Sequence, residues 1–316
     1  APLLGNLTCN PGIIYDLFIN NPAANIDHRF TTRDEVMAEL GRILGPGCDI
    51  SVELNNPFEP DFSKIVEEAE FFAELLGRDR VVIKVPHTGP VNAENVGQLL
   101  TGDGRLATRY WQPATADALR GHALTLKLTE LGFRINYTLM FEPYQTQLAL
   151  QARPYFINSF IRHRLMQSRA LADLLARYDA NDQSAGPLLR DYLLRNDYLA
   201  STDTEFDIAG AVQRARDVVK YRNLGNPEGA DGLDGVRHNL RLLRNANLPD
   251  TRLIICSMEG DWNYPDIDRL LASDEFCDMA DRVVVTAEPG YLARFTSTNQ
   301  VISYQRRFMK AAQGQR

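Results

Sequence analysis

Cysteine is scarce in this chain of 316 residues. Only Cys9, Cys48, Cys256 and Cys277 occur, and no two stand at metal-ligand or redox spacing. Three of them lie in or beside apolar, strand-like runs. They read as small buried hydrophobes of a reducing compartment, not as a disulfide framework. The five histidines, His28, His87, His122, His163 and His238, are scattered. There is no HExxH pair, calcium loop or phosphate loop, so no metal is expected. No apolar run approaches the roughly 20 residues that cross a bilayer. The first residues, Ala1 to Asn10, lack the basic-then-apolar order of a signal peptide. These absences predict a cytoplasmic chain with no membrane partner. Basic blocks are missing too: the net charge is -7 and the pI about 5.4. Nucleic acid is not expected as a partner, because neutralising its backbone takes clustered Lys and Arg.

What is present is an ordinary globular composition, 44% hydrophobic and 24% charged. Short apolar runs alternate with amphipathic segments. The strand candidates are Pro2–Thr8, Cys48–Leu54, Val81–Val85, Phe133–Leu139, Tyr155–Asn158, Arg252–Ser257 and Arg282–Thr286. They are rich in Val, Ile and Leu on both faces, as strands of a helix-covered parallel sheet are. Asp61 or Ser63 can cap a helix whose stripe is Ile65, Val66, Ala69, Phe72, Leu75 and Leu76, stopped by Gly77. Further helices are expected at Ala123–Leu131, Tyr144–Ala152, Pro265–Ala272 and Asn299–Ala312. This alternation predicts βα units in one α/β domain over residues 1–316. Two stretches break the rhythm, Gly89–Gly121 and the mostly helical Leu165–Leu248. Within the second, Gly225–Gly235 reads as a mobile loop, not a phosphate cradle, since no strand leads into it.

Lys84 stands inside the apolar strand Val81-Val-Ile-Lys-Val-Pro86. Burying an ammonium is costly unless it is paired or neutralised, and desolvation favours the free amine that attacks carbonyls. The bland alternative is a lysine at a strand end that snorkels or pairs with an acid. Other polar groups end neighbouring strands. Glu53 closes Ile50-Ser-Val-Glu53; Asn136 and Thr138 alternate on Ile135–Phe141 and share a face; Asn10 follows Leu7-Thr-Cys9 where the strand breaks. Taken singly, each is more often a turn former or a core hydrogen-bonding group. Together around one lysine they suggest a catalytic cup.

Thr8-Cys-Asn-Pro11 resembles the TTNP motif of transaldolases, and Ser51-Val-Glu53 their STEV strand. Val82-Ile-Lys-Val-Pro86 is similar to their Schiff-base lysine strand. Ile135–Phe141 with Gln145 resembles NxTLxFxxxQ, Ile157-Asn-Ser-Phe160 resembles ISPF, and Arg282–Pro289 resembles the last strand. The resemblance touches most strands in order and leaves out the two interruptions. It implies a (β/α)8 TIM barrel with helical insertions at about 89–121 and 165–248. It further implies a Lys84 iminium with a ketose-derived fragment. In the family, the Glu53 and Thr138 positions hold a proton-shuttling water. The Thr8, Asn10, Asn136, Asn158 and Ser257 positions line the substrate. A small carbonyl or sugar substrate is the implied partner. No cofactor is expected, because the lysine itself supplies the electrophile.

Departures from the family matter as much. Its first strand carries an aspartate ahead of the TTNP-like motif, and this chain starts after that point, which leaves seven strands. The phosphate-gripping arginine after ISPF falls on His163, between Arg162 and Arg164. The second such arginine falls on Glu259, and the family serine on Asn158. A carboxylate where a guanidinium is expected would repel a phosphate dianion. The expectation is therefore a transaldolase or class I aldolase whose substrate is not an ordinary sugar phosphate. Transfer and simple cleavage share the same intermediate and stay undivided, as does oligomeric state. Two alternatives remain: a non-catalytic barrel that binds a carbonyl ligand or a protein, and an unrelated α/β barrel with a coincidental lysine.

Overall fold

The computed structural model describes residues 4–89, 119–196, 198–199, 207–222, 224–257, 263–287 and 299–313. Seven parallel strands follow one another in chain order: β1 (Asn6–Thr8), β2 (Asp49–Glu53), β3 (Val81–Pro86), β4 (Ile135–Thr138), β5 (Phe156–Ile161), β6 (Arg252–Ser257) and β7 (Val283–Val285). They curl into a nearly closed barrel ringed by helices, a TIM-type α/β fold. Every expected strand is found. The ring includes α1 (Arg33–Leu44), α2 (Phe62–Leu76), α3 (Arg120–Glu130) and α4 (Gln145–Gln151). After β5 come α5 (His163–Asp179), α6 (Ala185–Arg195), α7 (Ile208–Arg222) and α8 (Asp234–Asn245). The chain closes with α9 (Tyr264–Leu271) and α10 (Asn299–Ala312).

The apolar residues on both strand faces divide into two layers. Ile50, Val52, Ile83, Val85, Ile135, Tyr137, Ile157, Leu253 and Ile255 point outward and join the helices in the main core. Val82, Phe156, Ile254 and Cys256 form a separate cluster with Phe160 and Val284. They sit at the alternate positions and fill the barrel interior, as the period of two requires. Residues Ser51, Glu53, Lys84, Asn136, Thr138 and Asn158 share that inward parity.

Asp61 caps α2 by accepting from the Ser63 N–H at 3.0 Å, and Gly77 ends it. The sequence reading did not anticipate α1. Its capping box is complete: Thr32 accepts from the Glu35 N–H at 3.2 Å, and the Glu35 carboxylate accepts from the Thr32 N–H at 3.1 Å. The interruption after β5 holds two kinds of helix. Helices α5, α6 and α7 bury a core of their own, built on Leu171, Leu175, Leu189, Leu193, Leu199, Ala211, Val212 and Ala215. Helix α8 instead adds Val236, Leu240 and Leu243 to the barrel core. The 225–235 stretch, expected to be mobile, contains a 3-10 turn at Pro227–Gly229 capped by Asn226, and Gly232 accepts from the Arg162 N–H at 3.2 Å. Most of the 89–121 stretch, residues 90–118, lies outside the described residues. Cysteine burial needs a correction. Cys9, Cys48 and Cys256 are buried, but Cys277 is exposed, because it opens the 3-10 turn Cys277–Arg282 that leads into β7 and not a strand.

No helix among the described residues is long and apolar enough to cross a membrane. One close approach ties the ring to the lysine strand. A Cβ on Gly121, in the first turn of α3, would stand 2.2 Å from the Pro86 carbonyl oxygen and 2.4 Å from that of Thr88. Elsewhere in a helix, Gly→Ala stabilises by about 1 kcal/mol. Here the sign should reverse. Gly121→Ala is expected to cost roughly 1–3 kcal/mol in denaturant unfolding; a stabilised variant would refute this reading of the α3–β3 contact.

Candidate active site

Strand register assembles the site. Glu53 on β2 pairs with Lys84 on β3, Lys84 pairs with Asn136 on β4, and Thr138 pairs with Pro86. Inward parity aims Glu53, Lys84 and Asn136 into the barrel at one level, with Thr138 one step nearer the C-terminal mouth. Lys84 is 9% exposed. Its Nζ lies 3.1 Å from Glu53 Oε2 and donates to the Cys9 carbonyl oxygen at 3.5 Å. That carbonyl brings the end of β1 to the lysine. Thr8 closes β1 in register with Ser51, and Asn10 follows, its Oδ1 accepting from the Ile13 N–H at 2.7 Å.

A belt of buried side chains runs across the barrel interior beside the lysine. The Thr286 hydroxyl donates to Cys256 Sγ at 3.8 Å, and the Cys256 thiol donates to Asn158 Oδ1 at 3.1 Å. Asn158 Nδ2 donates to Asn136 Oδ1 at 2.7 Å and also to the Tyr137 carbonyl. Asn136 Nδ2 donates to Ser51 Oγ at 3.0 Å. The Asn6 amide completes the belt. With its nitrogen toward Ser51 Oγ at 3.1 Å it also serves the Leu7 and Asp49 carbonyls, whereas the reverse orientation leaves its oxygen facing acceptors. The run from Thr286 to Asn136 and the Asn6 amide thus converge as donors on Ser51 Oγ, and pairing of this kind is how buried polar groups become tolerable in a barrel interior.

Glu53 is held from behind. Arg33, 5% exposed, donates to the Glu53 carbonyl at 3.3 Å, to Asn55 Oδ1 at 2.8 Å and to Glu68 at 2.8 Å, and lies over the Phe72 ring. At the end of β3, His87 donates from Nδ1 to the Thr138 carbonyl at 3.4 Å. Its Nε2 accepts from Gln145 Nε2 at 3.0 Å. Gln145 Oε1 in turn accepts from the Phe141 and Glu142 N–H groups, both at 2.7 Å. Sequence reasoning missed Arg33, His87 and the role of Cys256. Only Cys256 left a signal, the parity it shares with Ile254. Burial pushes the Cys9 and Cys256 thiols up to about 11, against the pull of nearby Lys84. Both thiols are thus held in the protonated form.

The residues after β5 take other positions. Arg162 is in the left-handed region, φ 63°. Its Nε donates to the Asp231 carbonyl at 2.9 Å, and its two terminal nitrogens reach Asn263 Oδ1 and the Asp266 carboxylate. Gly232, at φ 74°, packs so closely that a Cβ there would stand 2.8 Å from Arg162 Cγ. Arg164 bridges Glu142, at 3.1 Å, and Asp234. His163 packs on Phe141, ring centroids 5.3 Å apart. Ser257 ends β6, and Glu259 lies outside the described residues. Among the described residues, no cluster of His, Cys, Asp or Glu is arranged to hold a metal ion.

The structure is thus a TIM-type barrel with a buried lysine among polar strand ends. Residues 2–184 match the transaldolase/fructose-6-phosphate aldolase family, and the chain belongs to that family. Membership gives it an aldolase-type enzyme function in general terms. No curated protein matches the chain.

Two outcomes are expected. Asn158→Leu strands Asn136 Oδ1, the Tyr137 carbonyl and the Cys256 thiol, and should cost on the order of 3 kcal/mol, whereas Cys256→Ser keeps a donor and should cost under about 1 kcal/mol. Equal losses in urea unfolding would argue against the belt. The second concerns His87, which burial holds below the ordinary imidazole value of 6.5. Between its lowered folded value and 6.5 the unfolded chain binds more protons. Its contribution is therefore present above 6.5 and lost as pH falls through the folded value. The drop in Tm from about pH 7 to about pH 5 should be smaller in His87→Gln than in the native chain; parallel curves would exclude His87 as its source.

Proposed function

We propose that Lys84 forms a Schiff base with the carbonyl of a ketose or hydroxyketone, and that the enzyme transfers or cleaves a dihydroxyacetone-type unit. The observation that carries this is the Lys84 amine, buried at the C-terminal ends of the strands and 3.1 Å from a carboxylate that can take its proton. The neutral amine attacks the carbonyl carbon, the carbinolamine loses water, and an iminium remains. The iminium draws in the electron pair released when the neighbouring C–C bond breaks, while a base removes the proton of the departing hydroxyl. The resulting enamine then adds to an aldehyde acceptor or takes a proton, and water returns the amine.

Glu53 is the acid/base group of this scheme, and Thr138 stands one step above it to orient the shuttled water. Asn10, Thr8 and Ser257 line the substrate in this scheme, and the buried Asn136 and Asn158 amides, paired within the belt, stand behind them. A second reading, a barrel that binds a carbonyl ligand without turnover, draws on the same Lys84–Glu53 pair, which a purely structural lysine would also form.

Borohydride trapping separates them. The protein is incubated with ketoses and hydroxyketones, reduced, and weighed as an intact chain. A stable adduct is expected in the native protein and none in Lys84→Ala. Glu53→Gln should slow adduct formation by about a hundredfold, the usual contribution of a positioned acid/base group. An adduct that survives Lys84→Ala, or no adduct with any compound, would defeat the Schiff-base reading.

A further inference from the structure

We infer that His87 is a positioning residue: in its neutral form it fixes the turn by which the chain leaves β4 beside Lys84, and proton transfer at the iminium depends on that turn. This rests on the Schiff-base reading of Lys84, in which Thr138 orients the shuttled water. It adds a residue that acts through its neighbours.

The turn is strained. Leu139 follows Thr138 directly and holds φ 61°, the left-handed region that residues with a side chain adopt only at a cost. Two side chains hold the backbone there. His87 Nδ1 reaches the Thr138 carbonyl at 3.4 Å, on the near side of the bend. Gln145 holds the far side. Its Nε2 donates to the Leu139 carbonyl at 3.5 Å, and its Oε1 accepts from the Phe141 and Glu142 N–H groups. His87 Nε2, 3.0 Å from Gln145 Nε2, then ties Gln145 to the end of β3. What the turn carries reaches across the mouth. Phe141 stacks on Phe160 of β5 with centroids 4.5 Å apart, and Glu142 pairs with Arg164 and Arg222. One imidazole, three residues beyond Lys84, thus joins the lysine strand to the strand of Asn136 and Thr138.

Only one protonation state of His87 fits this chain of contacts. Two backbone N–H groups fix the Gln145 oxygen, so its NH2 must face the ring. Nε2 is therefore an acceptor, and the ring hydrogen sits on Nδ1, where it meets the Thr138 carbonyl. A second proton would set an N–H against the Gln145 NH2, donor against donor. The surroundings favour the neutral ring. Burial holds it below the ordinary imidazole value of 6.5, and His122 on α3 acts in the same direction, against the pull of the Thr138 carbonyl. Tyr137 on β4 also faces it, edge-to-face at 6.3 Å, and burial keeps that phenol un-ionised.

The test uses dihydroxyacetone and the full chain in buffered D2O. Borohydride trapping with intact mass gives the rate of iminium formation. NMR gives the exchange of the hydroxymethyl hydrogens. In that exchange a base takes a C–H proton, the C–H electron pair forms the enamine double bond, and solvent returns a deuteron to the same carbon. The ratio of exchange to trapping isolates proton transfer. In the native chain it should fall at least about tenfold between about pH 7.5 and about pH 5, as His87 gains its proton. His87→Gln keeps one donor and one acceptor and has no proton to gain. It should exchange at close to the native rate at about pH 7.5 and lose the fall. His87→Leu should lower the ratio on the order of a hundredfold throughout, with trapping changed less than about twofold. A native ratio flat with pH, a fall that persists undiminished in His87→Gln, or native exchange in a folded His87→Leu chain would overturn the inference while leaving the Schiff base intact. No trapping in the native chain would remove the Schiff-base reading and this inference with it.

Discussion

Putting a lysine inside a barrel imposes a cost that everything near it must answer. An ammonium removed from water is unfavourable by several kcal/mol unless another charge and hydrogen-bond acceptors take over the role of solvent. Here one carboxylate, Glu53, and one backbone carbonyl, that of Cys9, take it over. Arg33 clamps the end of the strand that carries Glu53. The interior below cannot then be uniformly apolar. Val82, Phe156, Ile254 and Val284 are interleaved there with amide, hydroxyl and thiol groups, each of which is paired.

The features legible in the sequence were those with a local cause. Runs of Val, Ile and Leu marked all seven strands because parity and two-sided burial act within a few residues. Asp61 and Gly77 bounded α2 because caps satisfy backbone groups one turn away. Lys84 stood out because charge is rare in such a run. Hidden features depend on partners far along the chain. Arg33 meets Glu68, Arg162 meets Asp266 and Cys256 meets Asn158 across 35, 104 and 98 residues. Arg162 and Arg164 looked available beside the site because a sequence does not say which carboxylate an arginine will find. Helix α1 also has a local cause, the Thr32–Glu35 capping box, which stands in the sequence.

The three-helix insertion is more than ornament on the ring. Its last residue, Arg222, shares the Glu142 carboxylate with Arg164, and Glu142 follows the strand that carries Asn136 and Thr138. The insertion therefore meets the mouth through an ion pair at Glu142. Its own core of leucines and alanines stays separate from that of the barrel. A part-buried ion pair has steep directional demands, so this junction fixes the orientation of the insertion more than its adhesion.

The lone exposed thiol gives the native chain an experimental handle. Three of the four cysteines are buried, and two of these resist ionisation up to about 11, so reagents selective for thiolates bypass them. Cys277 opens the turn that enters β7, at the end of the barrel opposite the lysine. A dye or spin label attached there would report on the molecule from a point remote from the mouth. No residue need be replaced first, and no atom of the cup need be touched.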